Sequence, residues 1–145
     1  MIQLILGFAL MAGAVAIHLV GGLAVILRLR RRVANHPGDS TLFALQVLVE
    51  LFAALLALHL MQVSLWALLY WWQIGWDFNT ALYFSTVTYA TIGYGDVVPP
   101  PQWRLVAVTE GLTGVLMLGW SSALIFSVVV RLFETTGRTP KMPPS

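Results

Sequence analysis

Three long apolar stretches constrain the fold of this 145-residue chain more than any other feature. They run from Ile2 to Leu27, from Leu42 to Trp72 and from Leu105 to Val130. About 20 helical residues cross the ~30 Å hydrocarbon core of a bilayer, and each stretch is longer than that. The chain is 59% hydrophobic and only 10% charged, too few charges to cover the surface of a soluble domain of this size. The sequence therefore predicts an all-α integral membrane protein with three spanning helices.

The first stretch lies where a signal peptide would lie, but its flanks differ. A signal peptide carries its positive charge before the apolar run and a small-residue cleavage site after it. Here the basic residues follow the run, at Arg28, Arg30, Arg31 and Arg32. We therefore expect the stretch to be retained as a first transmembrane helix.

The basic residues also predict the orientation in the membrane. Four arginines separate the first two stretches, and Arg131, Arg138 and Lys141 follow the third, whereas only Arg104 lies on the other side. Because cytoplasmic loops carry the excess of Lys and Arg, we expect the C-terminus in the cytoplasm of a cell membrane. The N-terminus and residues 73–103 should lie outside. The four-arginine cluster is interpreted as a topology determinant that is also compatible with anionic lipid headgroups.

Several functional classes find no support in the composition. A formal net charge of +2 is too small to indicate nucleic-acid binding. The chain has no cysteine, which excludes disulfides and thiolate metal sites. No nucleophile–base pair, phosphate-binding loop or metal-ligand cluster is recognisable, so the sequence predicts neither an enzyme nor a bound cofactor.

A short helix is predicted between the second and third apolar stretches. The segment Asp77–Thr80 offers N-cap candidates for a helix that runs to about Ala90. That helix is too short to span a bilayer, and irregular backbone within a membrane is tolerated only where it is buried or lines water. We therefore expect a re-entrant segment, with the partial negative charge of the helix C-terminus directed inward at a cation.

The run from Thr88 to Asp96 follows this helix and contains alternating glycines. Gly93 and Gly95 alternate with residues that carry side chains. Glycine reaches left-handed backbone angles freely, whereas a residue with a Cβ does so at a cost. The alternation predicts that consecutive carbonyls point the same way, towards a central axis.

Together, a span, a short helix, the run Thr-Ile-Gly-Tyr-Gly-Asp and a further span resemble the pore domain of the potassium channel superfamily. The resemblance covers about residues 41–133 and is greatest to small prokaryotic two-helix channels. It implies a four-fold tetramer, because the family builds its filter from four copies of one loop. Three regions are predicted: a peripheral helix with a basic cytoplasmic end (1–32), a pore domain (41–133) and a short cytoplasmic tail (134–145).

The resemblance implies roles for individual residues of the run. Backbone carbonyls of Thr91, Ile92, Gly93 and Tyr94 would coordinate K⁺ as the permeant ion, in place of its hydration shell. The Thr91 hydroxyl would complete the innermost site. Gly95 and Asp96, which follow Tyr94, would support the filter, with the Asp96 carboxylate just outside it.

In the last apolar stretch the resemblance implies an inner helix with a hinge or gate. Gly114 aligns with the hinge glycine of the family and Gly119 with a second common glycine, although close helix packing would equally require glycine. Helical spacing places Leu118, Ser122 and Phe126 on one face. If that face lines the pore, Ser122 wets the cavity and Phe126 closes it by dewetting; otherwise Phe126 packs against lipid or a neighbouring helix.

Three positions depart from the family pattern. Val87 stands where some relatives place a glutamate behind the filter, Tyr83-Phe84 replaces a usual tryptophan pair, and Ala90 replaces a frequent threonine. We hypothesise that Glu110, about 9 Å along the third helix from its start, supplies the missing carboxylate and supports the filter together with Tyr83 and Val87. The alternative is a polar residue that reaches water in the outer leaflet.

Polar residues in the first two stretches predict contacts between helices, since such groups are costly in a membrane and usually find partners. His18 and Glu50 lie at similar predicted depths, about 13 to 15 Å from the cytoplasmic boundary. We expect them to form a pair that docks the first helix, with a pH-sensing role as the alternative. His59 and Gln62 share one helical face and are expected to bond between helices, with partners that the sequence does not identify.

The sequence thus predicts a tetrameric, K⁺-selective channel subunit. Two other classes of function remain open at this stage. One is a non-conducting regulatory or assembly protein with a channel-like fold. The other is a component of a potassium-uptake transporter, which normally needs four such loops in a longer chain.

Overall fold

A computed structural model describes residues 1–35 and 40–135, with side chains to residue 132. Its helices are α1 (Ile2–Ala34), α2 (Thr41–Ile74), α3 (Phe78–Tyr89) and α4 (Arg104–Thr135), with a 3₁₀ turn at Pro101–Trp103. The loop residues His36 and Asp39, and the tail residues beyond 135, lie outside the described residues. Within the described ranges the secondary structure is entirely helical.

Three helices are long and apolar enough to cross a membrane, as the sequence predicts. The spans are Ile2–Ala34, Thr41–Ile74 and Pro101–Leu132. Each helix extends past the predicted apolar stretch, and α1 extends furthest, because its four arginines continue the helix for almost two turns beyond Leu27. The predicted all-α fold with three spanning helices is confirmed.

The short helix α3 also begins where the sequence predicts. The Asp77 side chain accepts a hydrogen bond from the Thr80 backbone N–H at 3.0 Å, which satisfies one of the free N–H groups of the first turn. The preceding helix α2 ends at Gly75, whose φ of 79° is the left-handed conformation that glycine supplies at helix C-termini. Residues 75–77 therefore turn the chain from α2 into α3.

The helices pack around two apolar clusters. The larger one joins α2, α3 and the N-terminal half of α4, and includes Val63, Trp66, Tyr70, Ala81, Phe84, Tyr89, Trp103, Val106 and Met117. The second joins the C-terminal ends of α1 and α4 to the N-terminal half of α2, through Leu29, Val47, Leu51, Leu55 and Leu132. The larger cluster surrounds α3 and so fixes the position of the segment that follows it.

Helix α1 lies against α4 and α2 of its own chain. Its buried positions are Gly7, Ala14, His18, Gly22 and Leu29, which lie seven or four residues apart and form a single stripe. A Cβ added at Gly7 would lie 2.7 Å from the Thr109 Oγ1 of α4. Small residues therefore let α1 approach α4 closely, as is usual between helices in membranes.

Four tryptophans, Trp66, Trp71, Trp72 and Trp76, gather towards the end of α2, and this sequence pattern is typical of an aromatic belt at a membrane interface. Trp71 and Trp72 are exposed, in keeping with that interpretation, but Trp66 is fully buried in the larger apolar cluster. The Trp76 ring packs edge-on against Phe84 of α3, with centroids 5.2 Å apart. The belt interpretation is therefore wrong for Trp66, because packing against α3 and α4 takes that ring into the core.

Candidate functional site

The backbone after α3 alternates in handedness along the run that the sequence singles out. Thr91, Gly93 and Gly95 have φ values of 61°, 54° and 79°, whereas Ile92 and Tyr94 between them do not have positive φ. Left-handed geometry is expected of the glycines but is costly for a β-branched residue such as Thr91. Alternating handedness is the backbone geometry that allows successive carbonyls to turn towards the same side, and the predicted direction of the carbonyls stays a prediction.

The start of this run is fixed by hydrogen bonds to the last turn of α3. The Val87 carbonyl accepts from both the Ile92 N–H, at 2.8 Å, and the Gly93 N–H, at 3.1 Å. The Thr91 N–H donates to the Thr88 carbonyl at 3.0 Å. Val87 thus supports the run through its backbone, a role that its side chain does not reveal in the sequence.

At the far end of the run, the Asp96 side chain is hydrogen-bonded to helix α3. The Tyr83 hydroxyl donates to the Asp96 Oδ2 at 2.7 Å. This bond is the main reason that the pKa of Asp96 lies below its ordinary value, since a hydrogen bond to the charged form stabilises it. Tyr83 therefore fastens the end of the run to the helix that precedes it.

Behind α3, the fully buried Glu110 of α4 receives two hydrogen bonds. The Ser85 hydroxyl of α3 lies 2.5 Å from the Glu110 Oε1, and the Tyr70 hydroxyl of α2 donates to Oε2 at 2.7 Å. The hypothesis that Glu110 holds the short helix from behind agrees with this geometry. The alternative, a side chain that reaches water, does not.

Gly114 is the point at which α4 comes closest to the end of α3. A Cβ added there would overlap the Tyr89 carbonyl oxygen and lie 2.8 Å from the Tyr89 carbonyl carbon. Close packing therefore requires glycine at this position whether or not it bends. An added Cβ at Gly119 meets nothing within 4 Å.

The other predicted inner-helix positions lie on an open face of α4. Phe126 and Leu118 have exposed fractions of 71% and 39%, and the Ser122 hydroxyl donates to the Leu118 carbonyl at 2.9 Å. The three side chains share one exposed side of the chain. Their predicted roles in a gate stay predictions.

The predicted pair of His18 and Glu50 is wrong. Glu50 binds the guanidinium groups of Arg28, at 2.5 Å, and Arg32, whereas His18 bonds to Ser121 of α4 at 3.0 Å. The depth comparison started from Arg28, but α1 continues to Ala34. His18 lies about 24 Å along α1 from its end at Ala34. Glu50 lies only about 14 Å along α2 from its start at Thr41.

At its true depth His18 belongs to a closed set of hydrogen bonds that we call the polar ring, made of His18, His59, Gln62, Tyr89 and Ser121. The predicted interhelical roles of His59 and Gln62 are confirmed. Sequence reasoning missed Tyr89 and Ser121. A comparison of depths from the helix ends would have indicated the match between His18 and His59, whereas the contribution of Tyr89 depends on how α3 is tilted.

Comparison with known proteins agrees with this geometry. A family model described as "Ion channel" matches residues 47–131. A mouse (Mus musculus) protein, potassium channel subfamily K member 16, is 32% identical over 114 residues, which are 74% of this chain and 38% of the relative. Two-pore potassium channel 4 of Arabidopsis thaliana is 38% identical over 58 residues, 39% of this chain and 20% of the relative.

A third relative is the TWiK family of potassium channels protein 18 of Caenorhabditis elegans, 38% identical over 47 residues, 32% of this chain and 10% of the relative. The chain thus spans less than two fifths of the length of each of these relatives. No solved structure matches it significantly.

Proposed function

The chain belongs to the ion channel family, as a member of the potassium channel superfamily, and from this premise we propose that it is a K⁺-selective channel subunit. K⁺ moves passively through a pore lined by the carbonyls of Thr91, Ile92, Gly93 and Tyr94. The observation that carries the proposal is the alternating handedness of residues 91–95. That backbone can present a row of carbonyl oxygens in place of water around a dehydrated ion.

Exposure of the same segment supports assembly of four copies around the pore. In the single chain Ile92 and Tyr94 are 52% and 70% exposed, although the segment lies between membrane-spanning helices. Irregular backbone at membrane depth must be covered by protein or line water. A cyclic homotetramer meets both needs, because the carbonyls face the shared axis and neighbouring subunits cover the rest.

The proposed division of labour follows the helices. Residues 41–133 form the pore domain, residues 1–32 form a peripheral helix, and residues 134–145 form a cytoplasmic tail. The positive-inside distribution supports an external N-terminus and a cytoplasmic C-terminus in a cell membrane. In α4 we propose Gly114 and Gly119 as points of bending or packing, and Leu118, Ser122 and Phe126 as the face that lines and closes the pore.

Anionic lipid is the proposed partner of the basic end of α1. Arg28 and Arg32 are engaged by Glu50, while Arg30 lines an open cavity of about 840 Å³ between the ends of α1 and α4. Basic residues at the cytoplasmic surface attract anionic headgroups. Native mass spectrometry should detect retained phosphatidylglycerol on the wild type and less on a double variant, Arg30→Gln with Arg31→Gln; equal retention would contradict the lipid site.

The channel proposal is tested by ion flux into liposomes that contain the purified protein. The wild type should pass K⁺ much faster than Na⁺, and Ba²⁺ should block the flux. Gly93→Ala should abolish selective flux, because its φ of 54° strains any residue with a Cβ. Gly13→Ala is the matched control: it adds the same methyl group to α1, where nothing lies within 4 Å.

Three results would contradict the proposal in different ways. Equal K⁺ and Na⁺ flux would keep a pore but reject the filter. No flux from an intact tetramer, even with Phe126→Ala, would favour a non-conducting regulatory protein. Flux that requires a second protein would favour a transporter component.

A further inference from the structure

The polar ring joins all four helices inside the membrane. Its links, in order, are Gln62 Nε2 to His18 Nδ1 (2.8 Å), His18 Nε2 to Ser121 Oγ (3.0 Å), Ser121 Oγ to His59 Nε2 (2.9 Å), His59 Nδ1 to the Tyr89 hydroxyl (3.0 Å), and that hydroxyl to Gln62 Oε1 (2.6 Å). The last link returns to the residue where the first began. His18 and Gln62 are fully buried, so the ring's groups depend on one another as partners.

The donors and acceptors in the ring balance one to one when both imidazoles are neutral. A neutral imidazole supplies one donor and one acceptor. Each of the two hydroxyls, and the Gln62 amide, can likewise supply one donor and one acceptor to the ring. With the Gln62 N–H donating to the His18 Nδ1, the Nε2–H of that ring donates to Ser121. Ser121 then donates to the His59 Nε2, His59 donates to Tyr89, and Tyr89 donates back to Gln62. Five protons serve five links.

The balance does not depend on which way the Gln62 amide faces. If its oxygen and nitrogen exchange places, every link reverses and the ring again closes with neutral imidazoles. In both directions one imidazole carries its proton on Nε2 and the other on Nδ1. A protonated imidazole adds a donor, so one hydroxyl of the ring must accept two hydrogen bonds and turn its own proton out of the ring.

Tyr89 connects the ring to the filter. It is the last residue of α3 and stands two positions before Thr91. Its hydroxyl belongs to the ring, while its backbone carbonyl lies against Gly114. With both ends held, Tyr89 sets the height and tilt at which the chain leaves α3, and hence where the first coordinating carbonyl lies.

We infer that α1 is a filter-positioning helix: His18, together with Gln62, His59 and Ser121, holds Tyr89 and thereby the base of the filter. Protonation of either imidazole weakens this hold, because it turns a hydroxyl proton out of the ring. This inference rests on the proposed function. His18 acts through Tyr89 and does not touch the ion path itself.

Other charged groups around the ring do not take over this role. The titratable groups of the ring are His18 from α1, His59 from α2 and Tyr89 from α3, and Glu110 from α4 interacts electrostatically with Tyr89. Glu110 is eleven residues, about 16 Å, along α4 from Ser121 and is bonded by Ser85 and Tyr70. An imidazole ordinarily changes charge between about pH 5 and pH 8, and a replacement of His18 separates its titration from that of the buried Glu110.

The experiment compares two replacements of His18 in reconstituted tetramers. His18→Gln keeps a donor and an acceptor but takes up no proton, whereas His18→Leu keeps neither. Wild-type K⁺ flux should fall about tenfold when both sides of the membrane go from about pH 8 to pH 5. His18→Gln should keep the flux at pH 8 and lose most of this fall, and His18→Leu should lower the K⁺:Na⁺ flux ratio at pH 8.

Two further variants separate positioning from folding. Tyr89→Phe removes the hydroxyl from the polar ring while keeping the phenyl group. It should lower the K⁺:Na⁺ flux ratio at pH 8 as His18→Leu does, with the tetramer intact. His36→Gln changes the one histidine of the chain that is not in the polar ring, and it should keep the wild-type pH profile. A wild-type profile in His18→Gln, or a wild-type ratio in both His18→Leu and Tyr89→Phe, would overturn the inference.

Histidine ¹⁵N NMR gives a readout that needs no flux. At pH 8 His18 and His59 should be neutral and of opposite tautomer, one Nε2–H and one Nδ1–H. Identical tautomers, or a charged imidazole at pH 8, would overturn the ring. A wild type that passes no K⁺ at any pH would contradict the proposed function instead, and the tautomers would then decide the ring by themselves.

Discussion

At the scale of single residues, Thr91 shows how the site departs from local preference. Its φ of 61° costs a β-branched residue roughly 1–2 kcal/mol, yet the bonds that Val87 accepts from Ile92 and Gly93 keep the chain in this turn. The left-handed backbone at Gly93 and Gly95 could be predicted from the sequence, because glycine reaches such angles freely. The angle at Thr91 could not be predicted, since it is imposed by the surrounding structure against the residue's own preference.

Glu110 is expected to contribute to stability through its two partners. Glu110→Ala should lower the free energy of unfolding by about 1–3 kcal/mol, because the Tyr70 hydroxyl loses its acceptor, whereas the Ser85 hydroxyl can still donate to the Val63 carbonyl at 2.8 Å. Thermal unfolding in detergent measures the change. Adding Ser85→Ala and Tyr70→Phe to Glu110→Ala should recover part of it, because no unpaired group then remains. A Glu110→Ala protein as stable as the wild type would contradict this account of the buried carboxylate.

Tyr83 is expected to control the titration of Asp96. The hydrogen bond from the Tyr83 hydroxyl lowers the pKa of Asp96 below its ordinary value of 3.8. The bond therefore stabilises the folded state at pH values above 3.8, and this stabilisation is lost as the pH falls through the lowered pKa. Tyr83→Phe should therefore move the Asp96 midpoint upward in a carboxyl ¹³C NMR titration.

Asp77 serves as the control in that titration, since its depressed pKa depends on Thr80 and should not change in Tyr83→Phe. An unmoved Asp96 midpoint would mean that the Tyr83–Asp96 bond does not form in the protein.

At the scale of helices, the structure shows what the sequence could and could not predict. The existence of the three spans and an N-cap among residues 77–80 follow from local chemistry, and the structure has both. The pairing of His18 was predicted wrongly because hydropathy placed the end of α1 at the arginines, whereas the arginines continue the helix. Six or seven residues of extra helix shift the depth by about 10 Å, enough to exchange Glu50 for His59 as the neighbour.

The cap of α3 should be measurable by itself. Asp77→Ala removes the acceptor for the Thr80 N–H and should destabilise the protein by about 1 kcal/mol. Asp77→Asn keeps an acceptor of the same shape and should cost only a small part of that. Thermal unfolding compares the two variants, and equal losses would indicate that the charge, rather than the capping bond, matters at this position.

The contact between α3 and α4 depends on Gly114. Gly114→Ala should destabilise the protein by about 1–3 kcal/mol, because its Cβ would overlap the Tyr89 carbonyl. Gly13→Ala adds a methyl group where nothing lies within 4 Å and should be neutral or stabilising, since alanine is the better helix former. Unfolding curves that show both variants equally stable would favour a hinge role over packing at Gly114.

At the scale of the whole molecule, the parts predicted from the sequence and the parts that needed the structure have different origins. The spans, the N-cap of α3 and the left-handed glycines can be predicted from short stretches of sequence. The links through Glu110 and the polar ring join residues up to 103 positions apart, and they depend on how helices rotate against one another. In the proposed channel, bonds within one chain hold the filter loop through Val87, Asp96 and Tyr89, and the carbonyls of the loop face an axis shared by four subunits.

The most direct test of that account is the reversal potential of single channels in a planar bilayer, with K⁺ on one side and Na⁺ on the other. If residues 91–94 of four subunits form the filter, the potential should lie close to the K⁺ equilibrium value and collapse towards zero in Gly93→Ala. A wild-type reversal potential near zero, with clear channel openings, would contradict the central claim that this backbone selects K⁺.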